Sequence, residues 1–166
     1  MKVSLSILFA SLSILSFSYC SKMPENGMLD GKWQLSEMYS KTTHSDAHYV
    51  ATLATDKRAD NIYWNIQLKL LYITSAKPLN TFTNETVARF HYSGSTLQVG
   101  PTYIHYRDRD SLITNANSTE LIPLGIRGNA TTYNIKRLNA STLILCSSLD
   151  SLIFKKLRYK ELKFRI

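Results

Sequence analysis

The chain of 166 residues has only two cysteines and four histidines, and it lacks the arrangements that support familiar catalytic chemistry. It contains no HExxH pair, no glycine-rich loop that could cradle a phosphate, and no Ser, His and Asp at a helpful spacing. His44 and His48 lie four residues apart, but no third ligand follows closely, so we expect no metal site there. These absences predict neither an enzyme nor a protein with a cofactor.

Long hydrophobic runs are also missing, because no apolar stretch reaches the about 20 residues that a transmembrane helix needs. The apolar, serine-rich run after Lys2 ends at Cys20, and such a run behind one positive charge is typical of a secretory signal peptide. We predict a signal peptide over residues 1–19, a tether over residues 20–28 and a single domain over residues 29–166. A buried N-terminal helix or an uncleaved anchor is the alternative for the leader.

Cys20 stands where the apolar run stops, and it resembles the acylated cysteine of bacterial lipoproteins. Tyr19 departs from the small residue that usually precedes that cysteine. The resemblance implies an exported protein of the cell envelope, an outer-membrane lipoprotein whose lipid anchor contacts the membrane. The alternative is an unmodified Cys20, free or bridged to Cys146. Cys146 lies in an apolar run, which predicts a small buried side chain.

Acidic residues are scarce, with 12 carboxylates against 20 basic side chains and a formal net charge of +8. Such a charge permits attraction to acidic lipid headgroups. It does not indicate nucleic-acid binding, because the chain has no basic and aromatic motif of the RNA-binding type and an exported protein seldom meets that partner.

Alternating polar and apolar residues are abundant, and a period of two predicts strands with one buried face. In the first such stretch Trp33, Leu35 and Glu37 share one side, and Gly31 allows a close backbone approach just before them. Residues 61–74 predict one long, bent strand. The aromatic residues expected to point inward along the predicted strands are Trp64, Tyr72, Phe90, Tyr92 and Tyr103.

The last part of the chain predicts three strands, at residues 131–138, 142–148 and 151–159, with very short connections. Short connections join antiparallel neighbours, and no strand alternates with a long helix. About eight strands are expected in all. The predicted fold class is therefore all-β, an antiparallel up-and-down barrel of about eight strands.

Gly31-Lys32-Trp33, near the start of the first strand, resembles the Gly-x-Trp signature of the lipocalin superfamily. The closing stretch, residues 131–157, resembles the small lipocalin-like lipoproteins of bacteroidete bacteria. The resemblance implies a lipocalin-like barrel with Trp33 closing one end, and it implies an arginine, Arg137 or Arg158, stacked on that indole.

Two functions follow from this interpretation. The first is an envelope protein that binds a small apolar or amphipathic ligand in the barrel, with the five inward aromatic residues as its contacts. The alternative is a structural or interaction module with a filled core, which would contact an envelope protein through residues 40–60 and 107–130. A cavity of roughly 300 Å³ or more would favour the first.

Overall fold

Alternation of apolar and polar side chains produces a sheet of ten strands in the part of the chain that the computed structural model describes, residues 24–43, 50–78, 84–105, 108–113 and 119–158. The strands are β1 (Gly31–Thr43), β2 (Val50–Asp56), β3 (Tyr63–Gln67), β4 (Leu70–Thr74), β5 (Glu85–Tyr92), β6 (Thr96–His105), β7 (Asp110–Leu112), β8 (Thr131–Leu138), β9 (Thr142–Cys146) and β10 (Asp150–Lys156). Three short 3-10 helices accompany them: η1 (Gly27–Leu29), η2 (Arg58–Asp60) and η3 (Thr119–Leu124).

Eight of these strands close into a barrel because β10 pairs antiparallel with β1. The order around the barrel is β1, β3, β4, β5, β6, β8, β9 and β10, every neighbouring pair being antiparallel. The two extra strands, β2 and β7, extend the sheet beside β1 and β6. This architecture confirms the predicted fold class of an eight-stranded antiparallel barrel.

Two ends of the barrel are distinguished below. The closed end is the end where β1 begins, together with η1 and the turns at residues 67–70, 92–96 and 138–142. The mouth is the opposite end, where η3 and the β9–β10 turn at residues 146–150 lie.

The predicted strand over residues 61–74 is wrong, because the chain reverses there into a tight β3–β4 hairpin. Leu68 in the turn has a φ of +55°. The reversal shifts the inward face by one residue, so Leu71 and Ile73 are buried. Tyr72, which was predicted inward, lies outside the core, as do Leu68 and Leu70.

Two bulges produce similar corrections, since each extra residue exchanges the inner and outer faces of a strand. In β1 the register shifts between Leu35 and Glu37, so Met38 is buried and Glu37 is not. In β6 the extra residue lies at the cis Gly100–Pro101 peptide, opposite the step from Ala88 to Phe90. Tyr103, predicted inward, therefore lies on the outer surface beside Val87.

Cys146 differs from its prediction as well. It is a free thiol and only half-buried, because Leu143 and Leu145 take the inward positions of β9. The predicted leader, residues 20–23 of the tether including Cys20, the two histidines at 44 and 48, and residues 159–166 lie outside the described residues.

Candidate functional site

The closed end is built around Trp33, whose side chain is fully buried. Its indole Nε1 donates a hydrogen bond to the Leu29 carbonyl in η1, over 2.8 Å. Gly31 has a φ of +131°, and a Cβ there would lie 2.8 Å from Lys156 Cε. The glycine therefore lets the end of β10 approach the first strand closely.

The cation that faces Trp33 is Lys156, not the predicted Arg137 or Arg158. The Lys156 Nζ lies 4.8 Å from the indole ring centroid and donates to the Met28 carbonyl over 2.8 Å. Burial against the ring lowers the pKa of Lys156 from its ordinary value. Arg137 and Arg158 are exposed, since neither projects toward the indole.

Three buried aromatic rings occupy the centre of the barrel. Trp64 packs on Phe154 with ring centroids 4.9 Å apart, and on Tyr133 with centroids 6.1 Å apart. Trp64 Nε1 donates to the Leu124 carbonyl over 3.1 Å, and the Tyr133 hydroxyl donates to the Gly125 carbonyl. Burial raises the pKa of Tyr133. Both polar tips are thus satisfied by the segment that crosses the mouth.

That cover segment, residues 119–126, inserts Leu121, Leu124 and Ile126 into the interior. Arg127 holds it in place through a bidentate pair with Asp150, with Nε 2.6 Å from Oδ2 and Nη2 2.8 Å from Oδ1. The side chain of Asp150 is fully buried. A second donor, Ser40 Oγ, reaches its Oδ1 over 2.7 Å.

Near the mouth end of β5, Thr86 is a polar residue on the inner wall. It is fully buried opposite Ile73 and Ile104, and its Oγ1 has no hydrogen-bond partner among the described residues. A buried hydroxyl without a partner costs about 1–3 kcal/mol, so such groups are rare unless another molecule pairs with them. Thr86 was not among the predicted site residues, although its spacing from Ala88 and Phe90 places it on the inward face.

The five predicted ligand-contacting aromatics are divided between the two faces of the wall. Trp64 is fully buried, Phe90 is nearly so, and Tyr92 is partly buried against the core. Tyr72 and Tyr103 face outward, for the reasons of register given above.

On the outer wall Tyr72 belongs to a polar cluster around His105. The two rings meet edge to face at 6.0 Å, and His105 Nδ1 lies 2.6 Å from Asp110 Oδ1. Glu85 Oε2 lies 3.9 Å from His105 Nε2. Burial, together with a hydrogen bond to Glu85, raises the pKa of Tyr72 to about 12. No group of three or more metal-ligating side chains occurs in the described ranges.

Two depressions lined by described residues lie outside the barrel. One, of about 170 Å³, lies on the outer wall between Leu70 and Asp110. The other is an open groove of about 780 Å³ at the closed end, between the segment from Pro24 to Lys32 and the strand end from Asn65 to Leu68. Neither reaches the inward aromatic side chains.

Comparison with solved structures finds similar chains from two Bacteroides species. A lipocalin-like protein from Bacteroides uniformis is 18% identical, with a TM-score of 0.50 over 79% of this chain and 100% of the other. An uncharacterized protein from Bacteroides eggerthii is 13% identical, with a TM-score of 0.48 over 77% of this chain and 98% of that one. No curated protein matches the chain.

Within the described ranges, no helix is long and apolar enough to cross a membrane. The family model of the lipocalin-like domain matches residues 15–157, most of the chain and nearly all of the barrel described above. The protein therefore belongs to the lipocalin-like domain family.

Proposed function

We propose that this protein is an exported, lipid-anchored binding protein of the cell envelope that holds one small amphipathic ligand in its barrel. It acts by binding and not by catalysis. The observation that supports this most directly is the fully buried Thr86 hydroxyl on the inner wall, which has no hydrogen-bond partner among the described residues.

The surroundings of Thr86 define the chemistry of the ligand. Ile73 and Ile104 flank the hydroxyl, and Ile113 is buried near the adjacent strand, where its N–H donates to the Thr102 carbonyl. In the described part of the chain, a mainly apolar wall with one buried hydroxyl that lacks a partner fits a largely apolar molecule that carries one hydrogen-bonding group. Trp64, Phe90 and Tyr92 provide further apolar contact on the inward face.

Entry of a ligand to the inner wall at Thr86 requires movement of the cover segment, because the aromatic and aliphatic side chains around it are packed together. Carbonyls of the segment accept from the side chains of Trp64 and Tyr133, and the adjoining Arg127 pairs with Asp150. These polar groups must be paired again if the segment moves. Opening is therefore expected to be slow relative to the motion of a free loop.

Native mass spectrometry of the full chain, purified from its own host, tests the proposal. We expect a co-purifying molecule at near-stoichiometric occupancy. Thr86→Val should lower that occupancy about tenfold, because a hydrogen bond of about 1.4 kcal/mol is lost, while leaving the fold intact. Thr132→Val, at an exposed position of β8, is the matched control. Repeated absence of any bound molecule, or equal occupancy in both variants, would contradict the proposal.

The lipid anchor has a test of its own. Cells fed a labelled fatty acid should transfer the label to the full chain but not to its Cys20→Ala variant. Cys146→Ala, at the half-buried thiol, should retain the label. If both variants keep the label, Cys20 carries no acyl chain.

A second candidate function is favoured by the packing of Trp64, Tyr133 and Phe154 at the centre of the barrel. A core filled in this way suits an interaction module that contacts an envelope partner through its surface. The β1–β2 ribbon beside the mouth exposes Leu53 to 64% and is the surface available for this. Empty protein in the mass spectrometry experiment would favour this alternative.

A further inference from the structure

The charges of the described residues are unevenly distributed along the barrel axis. Eight basic residues but only two acidic ones among the described residues, Glu25 and Asp30, lie within three residues of the closed-end turns, η1, the start of β1 or the end of β10. The basic residues are Lys32, Lys69, Arg89, Lys136, Arg137, Lys155, Lys156 and Arg158. At the mouth the signs are interspersed, as in the ion pairs Lys77–Asp60 and Arg127–Asp150.

The same end displays apolar side chains at its tip. Met28 in η1 is 56% exposed, and Leu68 in the β3–β4 turn is 57% exposed. Leu68 also has a φ of +55°, a conformation that is uncommon for residues other than Gly, Asn or Asp. In this two-residue turn, Leu68 therefore exposes its side chain beside Lys69 while its backbone is strained.

Hydrogen bonds join these two apolar tips into one surface. Asn26 Nδ2 donates to the Leu68 carbonyl over 2.7 Å and to Asp30 Oδ1 over 2.6 Å. Lys156 Nζ holds the Met28 carbonyl. Met28, Leu68 and Lys69, with Arg89 on the wall beside them, are called the tip surface below. These hydrogen bonds hold the tip surface in place while the side chains of Met28 and Leu68 stay exposed.

We propose that the tip surface lies against a bilayer containing anionic lipid, with Met28 and Leu68 entering the headgroup region and the basic residues around them facing lipid phosphates. Apolar side chains beside lysine and arginine, here Lys69 and Arg89, match the polarity of such an interface. The proposed acyl anchor on Cys20 agrees with this orientation, because the four residue steps from Cys20 to Pro24 span at most about 14 Å. The inference rests on the proposed envelope location.

Photo-crosslinking of the full chain in vesicles tests this orientation. A photoreactive amino acid replaces Leu68 or, as the control at the mouth, Leu112, which is 47% exposed. In vesicles of phosphatidylcholine with about 30 mol% phosphatidylglycerol, we expect about fivefold more lipid adduct at position 68 than at position 112. Replacement of phosphatidylglycerol by phosphatidylcholine should reduce the adduct at position 68 several-fold, which tethering alone would not cause.

The possible outcomes separate this inference from the proposed function. Equal lipid adducts at both positions, or adducts at position 68 only to a second copy of the chain or to another protein, would overturn the tip surface as a lipid contact. Adducts that do not depend on phosphatidylglycerol would overturn the role of its basic residues. If Cys20 takes up no label but position 68 still reacts with lipid, acylation of Cys20 is excluded and the tip surface is retained as a lipid contact. Ligand occupancy is measured separately and does not bear on this test.

Discussion

At the scale of single residues, Lys156 joins three parts of the closed end. Its ammonium group contacts the Trp33 ring and the Met28 carbonyl, while its backbone N–H donates to the Ser141 carbonyl in the β8–β9 turn. The lysine thus connects the last strand, the first strand and η1. The neighbouring Lys155 side chain is exposed on the other face of β10. A shift of the β10 register by one residue would therefore remove the contacts of Lys156.

Lys156→Met should lower the free energy of unfolding by about 1–2 kcal/mol, because the cation–π contact and the hydrogen bond to Met28 are both lost. Urea unfolding measures this change. Lys155→Met, at the exposed neighbour, should change stability by less than about 0.5 kcal/mol. Equal losses in the two variants would mean that Lys156 does not hold the closed end.

Tyr72 gives a pH dependence on the alkaline side. Its pKa is raised to about 12, from an ordinary value of 10.0, by burial and by the hydrogen bond to Glu85. Below pH 10 the phenol is neutral in both states, and its contribution to stability is complete. As the pH rises toward 12 the unfolded chain ionises first, so stability is lost.

Spectrophotometric titration of phenolate absorbance should therefore show a tyrosine with a high apparent pKa that disappears in Tyr72→Phe. That variant should also lose less stability than the parent between pH 10 and pH 12. Tyr39 is the nearest complication, because its pKa is also raised by Glu37. An unchanged titration curve in Tyr72→Phe would contradict the assignment.

At the scale of elements, the cover segment is distinctive because its backbone serves the core. Its carbonyls accept from Trp64 and Tyr133, and its apolar side chains enter the barrel. Within the segment Ile126 N–H donates to the Leu121 carbonyl, which closes the turn on itself. The Arg127–Asp150 pair then connects this compact turn to the β9–β10 hairpin and, through Ser40, to β1.

Arg127→Met should destabilise the protein by about 3 kcal/mol, because the buried Asp150 carboxylate loses its cation. Hydrogen exchange at the Gly125 and Ile126 amides should accelerate more than exchange in the barrel strands. Arg109→Met, at an exposed position, is the control. If the amides of the cover segment exchange no faster than before, the pair does not hold the segment at the mouth.

At the scale of the whole molecule, closure couples the first and last strands. Leu35 pairs with Phe154 across the β1–β10 seam, and Phe154 in turn packs on Trp64 of β3. The contacts that close the barrel are therefore part of the same aromatic cluster that fills its centre. Such a structure is expected to lose its strands and its core together.

Phe154→Ala should cost about 3–4 kcal/mol, as is usual for the loss of a buried aromatic side chain. Tryptophan fluorescence and far-ultraviolet circular dichroism should report the same lowered midpoint, since core and strands unfold as one unit. Leu53→Ala, on the exposed β1–β2 ribbon, should leave both midpoints nearly unchanged. Separate transitions for the two probes would show that the barrel and its core unfold independently.

The parts of the fold that could be read from the residues are those that depend on local periodicity and short turns. Alternation along β5 and β8 and the short connections before β9 and β10 predict antiparallel strands. Gly31 and Trp33 mark the first strand correctly, and both lie at the closed end. The candidate site was predicted less well, because only Trp64, Phe90 and Tyr92 of its five aromatics face inward.

The remaining features depend on how strands pair, which no local pattern specifies. The turn at Leu68 lacks the Gly or Asn that usually marks a hairpin. The alternation of polar and apolar residues therefore continues through the turn without a break. The extra residues at Ser36 and at Gly100–Pro101 exchange the inner and outer faces of β1 and β6, because the paired strands β10 and β5 have no matching extra residue.

Local residue patterns were thus enough for the class of fold, the strand directions and the position of the indole at one end, because these depend on neighbours along the chain. The identity of the cation on Trp33, the insertion of the cover segment and the isolation of the Thr86 hydroxyl were decided only by the folded barrel. Each of them depends on burial and register between strands distant in the chain, and those are set when β10 closes on β1.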